Sequence, residues 1–155
     1  MSKWFYINFS GVLVVIWSVF NQAPISVYVW FGYVGALLII FNWTRHAVFS
    51  TIRDSTIRKR KVRLATLSKK ILPYHKWVGS LALIFVLVHG TLVIERYGFH
   101  WDYPKMLVGL ITASILTLQV ATGWMRLYRP TIKKRKVHIY SGMTLFFLLV
   151  LHLIL

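Results

Sequence analysis

Two stretches of sequence decide the fold: HKWVGSLALIFVLVH at residues 75–89 and HIYSGMTLFFLLVLH at residues 138–152. Each stretch begins and ends with a histidine, so each holds two histidines fourteen positions apart. Along a helix, fourteen residues separate two side chains by about 21 Å and turn one from the other by only about 40°. Both histidines of a stretch therefore face the same neighbouring element.

Four histidines in apolar segments need a partner, because an unpartnered imidazole is costly inside a membrane. Haem iron offers that partner, since its porphyrin leaves two axial positions open to histidine nitrogens from two facing helices. The chain has no cysteine, which excludes a thioether-attached haem, so we expect two non-covalently held b-type haems. The candidate iron ligands are His75, His89, His138 and His152.

The composition is that of an integral membrane protein. Of 155 residues, 57% are hydrophobic, and the mean hydropathy is +0.64. The net charge of +16 would suggest nucleic-acid binding in a soluble chain. Here the positive residues fall in blocks between apolar runs, where they are typical topology signals. We therefore expect a lipid membrane as the surroundings and no nucleic-acid partner.

The apolar runs predict an all-α fold, a five-helix transmembrane bundle with both haem sites between helices 3 and 5. The first run is better interpreted as a helix than as a signal peptide, because Asn21 and Pro24 fit a cleavage site poorly. Residues 21–24 (NQAP) predict a tight turn, and Pro73 predicts the start of the third helix. The whole chain, 1–155, is predicted to be one domain with helices at about 4–20, 25–43, 75–94, 106–124 and 138–155, the last ending the chain.

The charge distribution predicts the orientation. Basic stretches at 44–73 and 125–137 are expected to be cytoplasmic loops that contact anionic headgroups, the first with room for an interfacial helix or a docking surface for an acidic redox partner. Of the nineteen basic residues, only Arg96 and Lys105 fall on the opposite side. The positive-inside rule then predicts a multi-pass cell-membrane protein with a cytoplasmic amino terminus and an external carboxy terminus. Helices 3 and 5 would run in the same direction, with an inner and an outer pair of histidines.

Two glycines extend the repeat. Gly79 and Gly142 each follow the first histidine of a stretch by four positions, on the same helix face. A flat macrocycle against a helix needs such a gap, so we include both glycines among the cofactor-binding candidates. Haem propionates need cations. The candidates are Lys69, Lys70, Lys76 and residues 133–136 for the inner site, and Arg96 and Lys105 for the outer site.

Other polar residues receive plainer interpretations. Gln119 and the threonines of helix 4 are capable of bonding a ligand histidine or a quinone, but small polar residues also join membrane helices, which we favour here. His46 is expected to contact headgroups. His100 is interpreted as an ordinary loop residue, with a quinone or metal contact left open.

The two histidine stretches resemble the ligand helices of the ferric reductase-like transmembrane domain, which NADPH oxidases, ferric reductases and small bacterial haem membrane subunits share. The resemblance covers about residues 74–155. It implies that His75 and His138 hold an inner haem and that His89 and His152 hold an outer one. In that family a cytoplasmic flavin donates the electrons, and a flavin and nicotinamide domain normally follows the helices. The chain ends three residues after His152, so any flavin is expected on a partner protein.

The sequence thus favours a di-haem cytochrome b that passes electrons across the bilayer as a subunit of a larger oxidoreductase, rather than a complete enzyme. The expected donor is a cytoplasmic flavoprotein or a membrane quinol, and the external acceptor is left open. One alternative is a self-contained quinol or ferric reductase with substrate near His100. Another is a haem-free scaffold that recruits an acidic partner through its basic segments.

Overall fold

The computed structural model describes residues 2–22 and 25–155. Within these residues the regular secondary structure is entirely helical, which confirms the all-α prediction and the order of five helices. The predicted turn at 21–24 lies partly outside the described residues. The helices are α1 (Lys3–Asn21), α2 (Val27–Asp54), α3 (Arg58–Tyr97), α4 (Pro104–Tyr128) and α5 (Ile132–Ile154).

All five helices are long and apolar enough to cross a membrane. Only 6% to 33% of the residues in their most apolar windows are buried inside the protein. Large apolar side chains cover the outside instead: Phe20 is 79% exposed and Trp30 is 55% exposed. Exposed apolar area is unfavourable in water at about 25 cal/mol per Å² and favourable against lipid tails. The fold is that of a multi-pass membrane protein.

Four of the helices form a ring, in which α2 contacts α3, α3 contacts α4, α4 contacts α5, and α5 contacts α2. Helix α1 packs outside this ring against α2 and α5. No Cα atom of α3 comes within 8 Å of a Cα atom of α5, and the same holds for α2 and α4. The two histidine-bearing helices therefore lie on a diagonal of the bundle, with space between their backbones.

The basic stretches are mostly helical, so the loops predicted at 44–73 and 125–137 are wrong. Helix α2 continues to Asp54 and α3 begins at Arg58, which leaves a break of three residues at 55–57. Likewise, only residues 129–131 separate α4 from α5. Arginine, lysine and leucine are good helix formers in water, so a helix does not need to stop where its apolar run stops. The bundle extends its helices past the apolar region at this end, which we call the basic end.

Pro73 lies inside α3 and does not start it, contrary to the sequence prediction. Proline has no backbone N–H, so the carbonyl of Lys69 receives no helical hydrogen bond there. Both residues are exposed. An exposed carbonyl is able to accept a hydrogen bond from its polar surroundings, so the helix continues through the proline.

An apolar layer fills the middle of the bundle. Ala82 lies seven positions after His75 on α3 and is fully buried, and Leu145 lies seven positions after His138 on α5 with 4% exposure. Ile39 from α2 and Leu116 from α4 belong to the same buried cluster. This layer separates the level of the first histidines from the level of the second.

Gly35 allows the closest approach of α2 to α3, because a Cβ atom there would lie 2.9 Å from Cγ2 of Val86. We expect Gly35→Ala to destabilise the protein by about 1–3 kcal/mol through overpacking. Gly90 on α3 is the matched control, since a Cβ atom there would meet nothing within 4 Å. Gly90→Ala should be neutral or stabilising by up to about 1 kcal/mol, because alanine favours the helix. Thermal unfolding in detergent measures both, and equal effects would contradict the packing described.

Candidate metal centre

The four repeated histidines meet as two pairs across the diagonal of the bundle. The ring centroids of His75 and His138 are 6.3 Å apart with an interplanar angle of 76°. Those of His89 and His152 are 6.4 Å apart with an angle of 79°. The predicted pairing and the parallel course of α3 and α5 are thereby confirmed. We call the first the basic-end pair and the second the distal pair.

Backbone carbonyls orient both rings of the distal pair. The Nδ1–H of His89 donates to the carbonyl oxygen of Tyr28 on α2 at 2.7 Å. The Nδ1–H of His152 donates to the carbonyl oxygen of Lys105 on α4 at 3.1 Å. A carbonyl only accepts, so both imidazoles carry their proton on Nδ1 and leave Nε2 with a free lone pair. This is the form in which a histidine binds a metal.

Two glycines make room for these rings. A Cβ atom on Gly32 would lie 3.0 Å from Cε1 of His89, and one on Gly109 would lie 2.9 Å from Cε1 of His152. Each glycine follows the carbonyl that accepts from the same histidine by four positions, one helical turn. Sequence reasoning missed both residues, since glycine is common in membrane helices for close packing.

These contacts reveal an internal repeat in which α2 with α3 corresponds to α4 with α5. Tyr28 and Lys105, Gly32 and Gly109, and Asn42 and Gln119 are each separated by 77 positions. On the histidine helices, the matching separation is 63 positions for both histidines and for Gly79 and Gly142. A Cβ atom on Gly79 would meet the amide of Asn42 at 3.2 Å, and one on Gly142 would meet the amide of Gln119 at 2.9 Å. Each of the two predicted glycines therefore faces an amide side chain on the neighbouring helix, Asn42 on α2 or Gln119 on α4.

Side chains of α4 orient His138 in the basic-end pair. Its Nδ1–H donates to Oγ1 of Thr122 at 3.1 Å, and its Nε2 accepts from the amide of Gln119 at 3.3 Å. Ser141 in turn donates to Oε1 of Gln119. These hydrogen bonds join α4 to α5, as the preferred sequence interpretation expected, and they also realise the alternative contact to a candidate ligand histidine.

His75 is held differently. The amide of Asn42 donates to its backbone carbonyl at 3.1 Å. Within residues 2–22 and 25–155, its ring makes no hydrogen bond of its own. The four imidazoles thus have three kinds of surroundings: a carbonyl acceptor at His89 and His152, a hydroxyl acceptor at His138, and none at His75.

A cavity of about 1230 Å³ opens around the basic-end pair. It is lined by His75, His138, Gly79 and Gly142 and extends inward to Leu145 of the apolar layer. Its volume exceeds the roughly 300–1,000 Å³ that is usual for small-molecule sites. The rings of the distal pair do not line it. The two predicted glycines line this cavity, but the amides of Asn42 and Gln119 lie directly against them.

The cavity is strongly cationic. Its lining includes no aspartate or glutamate and five basic side chains: Arg45, Arg53, Lys76, Arg126 and Arg135. Of the cations that the sequence assigned to the inner site, Lys76 and Arg135 lie there, whereas Lys69, Lys70 and the rest of 133–136 do not. The sequence analysis missed Arg45, Arg53 and Arg126 because it ended the second and fourth helices at about 43 and 124, before these arginines. At the distal end, Arg96 packs over Tyr28 and Tyr97, with 6.0 and 5.8 Å to the ring centroids.

The two remaining histidines lie outside the pairs. His46 stacks on Trp43 at 4.7 Å and meets Trp4 edge-on at 4.9 Å. Its Nε2 is buried without a hydrogen-bond partner in the described chain. His100 is exposed and bonds the nearby carbonyl of Tyr97 at 2.9 Å, in agreement with its interpretation as a loop residue.

Each level of the bundle brings together two histidines that are candidate metal ligands. Among the described residues, no group of three or more His, Cys, Asp or Glu side chains is placed to hold a metal ion. A metal bound there needs its remaining ligands from elsewhere, as the four nitrogens of a macrocycle provide. Comparisons with protein-family models, with curated proteins and with solved structures gave no match to this chain.

The pairing is testable by chemical cross-linking, because the chain has no native cysteine. We expect the double variants His75→Cys with His138→Cys and His89→Cys with His152→Cys to be bridged by a short bifunctional thiol reagent. The control combines His75→Cys with His152→Cys, whose levels differ by about 21 Å along the helix. Mass spectrometry of peptides after digestion identifies the bridge. Equal bridging in all three variants would contradict the matched levels.

Proposed function

We propose that this protein is a membrane cytochrome b that carries electrons across a bilayer through two haems, each bound by one histidine of α3 and one of α5. One observation carries the proposal. An imidazole nitrogen binds a transition metal at about 2 Å and lies about 1.2 Å from its ring centroid, so two axial imidazoles on one iron place their centroids about 6.4 Å apart. The two pairs have separations of 6.3 and 6.4 Å.

The tautomers support the same proposal. His89, His138 and His152 carry Nδ1–H groups that are already bonded, which keeps Nε2 available as a ligand. At His138 the Nε2 lone pair now accepts from Gln119, so the amide has to release it when a metal binds there. Direct histidine hydrogen bonding is a poorer explanation, since a ring-to-ring bond would bring the centroids about 1 Å closer.

The cavity fits the cofactor at the basic-end pair. A haem brings a flat apolar macrocycle and two carboxylates, and the cavity offers Gly79 and Gly142 beside the histidines and arginines at its rim. Arg45 and Arg126 line this cavity together with both rings of the pair. In this proposal they bind the carboxylates of the inner haem, and Lys76 and Arg135 line the approach. Lys105 and Arg96 are the cations proposed for the outer one.

A bis-histidine haem supplies reversible one-electron chemistry and has no open iron position for oxygen. The protein residues hold the two cofactors at fixed depths, exclude lipid and set the ligand hydrogen bonds. The two histidine pairs lie at different levels along the bundle, on either side of the layer of Ala82 and Leu145, so haems held there would supply a path for electrons from one end of the bundle to the other. This favours an electron-transfer subunit of an oxidoreductase over a complete enzyme.

We further propose that the basic end faces the cytoplasm of a cell-membrane protein, with the amino terminus inside and the carboxy terminus outside. The donor is then a cytoplasmic flavoprotein or a membrane quinol that reaches the inner site, and the flavin resides on the partner. A complete quinol or ferric reductase remains the second candidate. A complete reductase would show activity without a partner protein, which the proposed subunit would not. A haem-free scaffold would purify as a colourless protein.

Replacing one distal ligand tests the site assignment. We expect His89→Ala to halve the haem content, with the inner haem retained, and to block electron transfer across proteoliposome membranes. The pyridine haemochrome assay with protein quantification gives the haem ratio. His100→Ala is the control, because that histidine is exposed and its ring bonds the nearby carbonyl of Tyr97 at the end of α3. Retention of two haems per chain in His89→Ala would remove the ligand assignment.

The orientation has a separate test that uses single cysteines in the cysteine-free chain. We expect Thr56→Cys, in the break between α2 and α3, to react with a membrane-impermeant maleimide only after the cells are opened. Asp102→Cys, between α3 and α4, should react on intact cells, because five crossings place these segments on opposite sides. The reverse labelling pattern would invert the proposed direction.

A further inference from the structure

Thr122 is the one side chain among the described residues that accepts a hydrogen bond from Nδ1 of a paired histidine. The distal histidines use the carbonyls of Tyr28 and Lys105, which no substitution removes directly. His138 uses a hydroxyl at 3.1 Å. In the basic-end pair, therefore, a side-chain substitution is able to remove the acceptor of the Nδ1–H bond of a candidate ligand.

The direction of this hydrogen bond is fixed by the backbone of α4. The single hydroxyl hydrogen of Thr122 points back to the carbonyl oxygens of Leu118, at 2.8 Å, and Gln119, at 3.1 Å. With its hydrogen so used, Oγ1 has only lone pairs to offer to His138. The imidazole must be the donor, which places its proton on Nδ1 and its lone pair on Nε2, where it accepts from the amide of Gln119. Thr122 is 6% exposed, so bulk water does not compete for this bond.

The internal repeat has no second copy of this contact. The position in α2 that corresponds to Thr122, 77 residues earlier, is Arg45. A guanidinium has donors and no acceptor, so it cannot receive a proton from Nδ1 of His75. This agrees with the absence of a ring hydrogen bond at His75 within the described residues. The two ligands of the inner site thus differ where those of the outer site match.

We propose that Thr122 is a positioning residue that fixes the tautomer of His138 and lowers the reduction potential of the inner haem. A hydrogen bond from Nδ1–H makes an imidazole a stronger donor to its metal. Stronger donation stabilises ferric over ferrous iron. This inference rests on the proposed haem function, and it adds that the inner site is tuned by a side chain whereas the outer site is tuned by backbone.

The test is a potentiometric titration of Thr122→Val, which has nearly the same shape and no hydroxyl. It is done in the His89→Ala background, so that the remaining haem is the inner one. We expect the midpoint potential to shift upward and the haem affinity to fall by about tenfold. This is the lower end of the range of about 10–100-fold for losing a hydrogen-bond partner of a metal ligand. Thr122→Ser keeps an acceptor and should return both values toward those of the parent.

The matched control is Thr112→Val on the same helix. Thr112 is also buried, at 4% exposure, and its hydroxyl bonds the carbonyl of Val108 at 2.7 Å without contacting a histidine. It should leave the potential unchanged. If Thr122→Val fails to accumulate, Thr122→Ala removes the same acceptor with less crowding and carries the same expectation.

The outcomes separate the two proposals. If the protein without substitutions binds no haem, the proposed function itself is overturned. A parent with haem and an unchanged potential in Thr122→Val, or an equal shift in Thr112→Val, overturns the role of Thr122 and leaves the cytochrome in place.

Discussion

The structure depends on the distance between α3 and α5. Their backbones stay more than 8 Å apart at every Cα pair, yet imidazole rings reach across this gap at two levels with centroids 6.3 and 6.4 Å apart. Apolar side chains would close such a gap by packing, as Ala82 and Leu145 do at mid-depth. Polar rings that face each other without bonding are costly in an apolar bundle unless something binds both. In the proposed cytochrome, a haem at each level would meet that requirement.

Helices α2 and α4 keep the rings in place. Each offers a carbonyl to a distal histidine and, one turn later, a glycine that leaves room for the ring edge. Each also presents an amide, Asn42 or Gln119, beside the glycine that follows the basic-end histidine. The histidines alone do not make the site, because a free ring would adopt either tautomer and several rotamers. Orientation by the neighbouring helix keeps Nε2 available to a metal.

The internal repeat is imperfect at the basic end, because corresponding positions on α2 and α4 hold different kinds of side chain. Thr122 and Arg45 occupy matching positions, and one accepts a hydrogen bond while the other brings a positive charge. Both act on the same pair of histidines. A positive charge favours the reduced form of a neighbouring iron, and an Nδ1 acceptor favours the oxidised form. In the proposed cytochrome, these two groups on two helices would shift the potential of the inner haem in opposite directions.

Much of this was visible in the sequence. Histidine spacing and the positions of the apolar runs predicted five helices, the parallel course of α3 and α5, and the pairing of His75 with His138 and of His89 with His152. The helix ends were predicted wrongly, because hydropathy marks where a membrane segment ends and not where helical hydrogen bonding ends. That error hid Arg45 and Arg126 inside supposed loops. Gly32 and Gly109 were unpredictable as site residues, since their roles depend on which helix faces which. For Gln119 and the threonines of helix 4, the sequence allowed a contact with a ligand histidine but did not single out Thr122.

The geometry of the pairs also fixes the most direct test, the electron paramagnetic resonance spectrum of the oxidised, detergent-purified protein. The imidazole planes of the two pairs cross at 76° and 79°, so the rings within each pair are nearly perpendicular. Two low-spin ferric haems per chain with strongly anisotropic g values are the result we predict. A protein that purifies without haem, or with one high-spin five-coordinate haem, would contradict bis-histidine binding across the bundle.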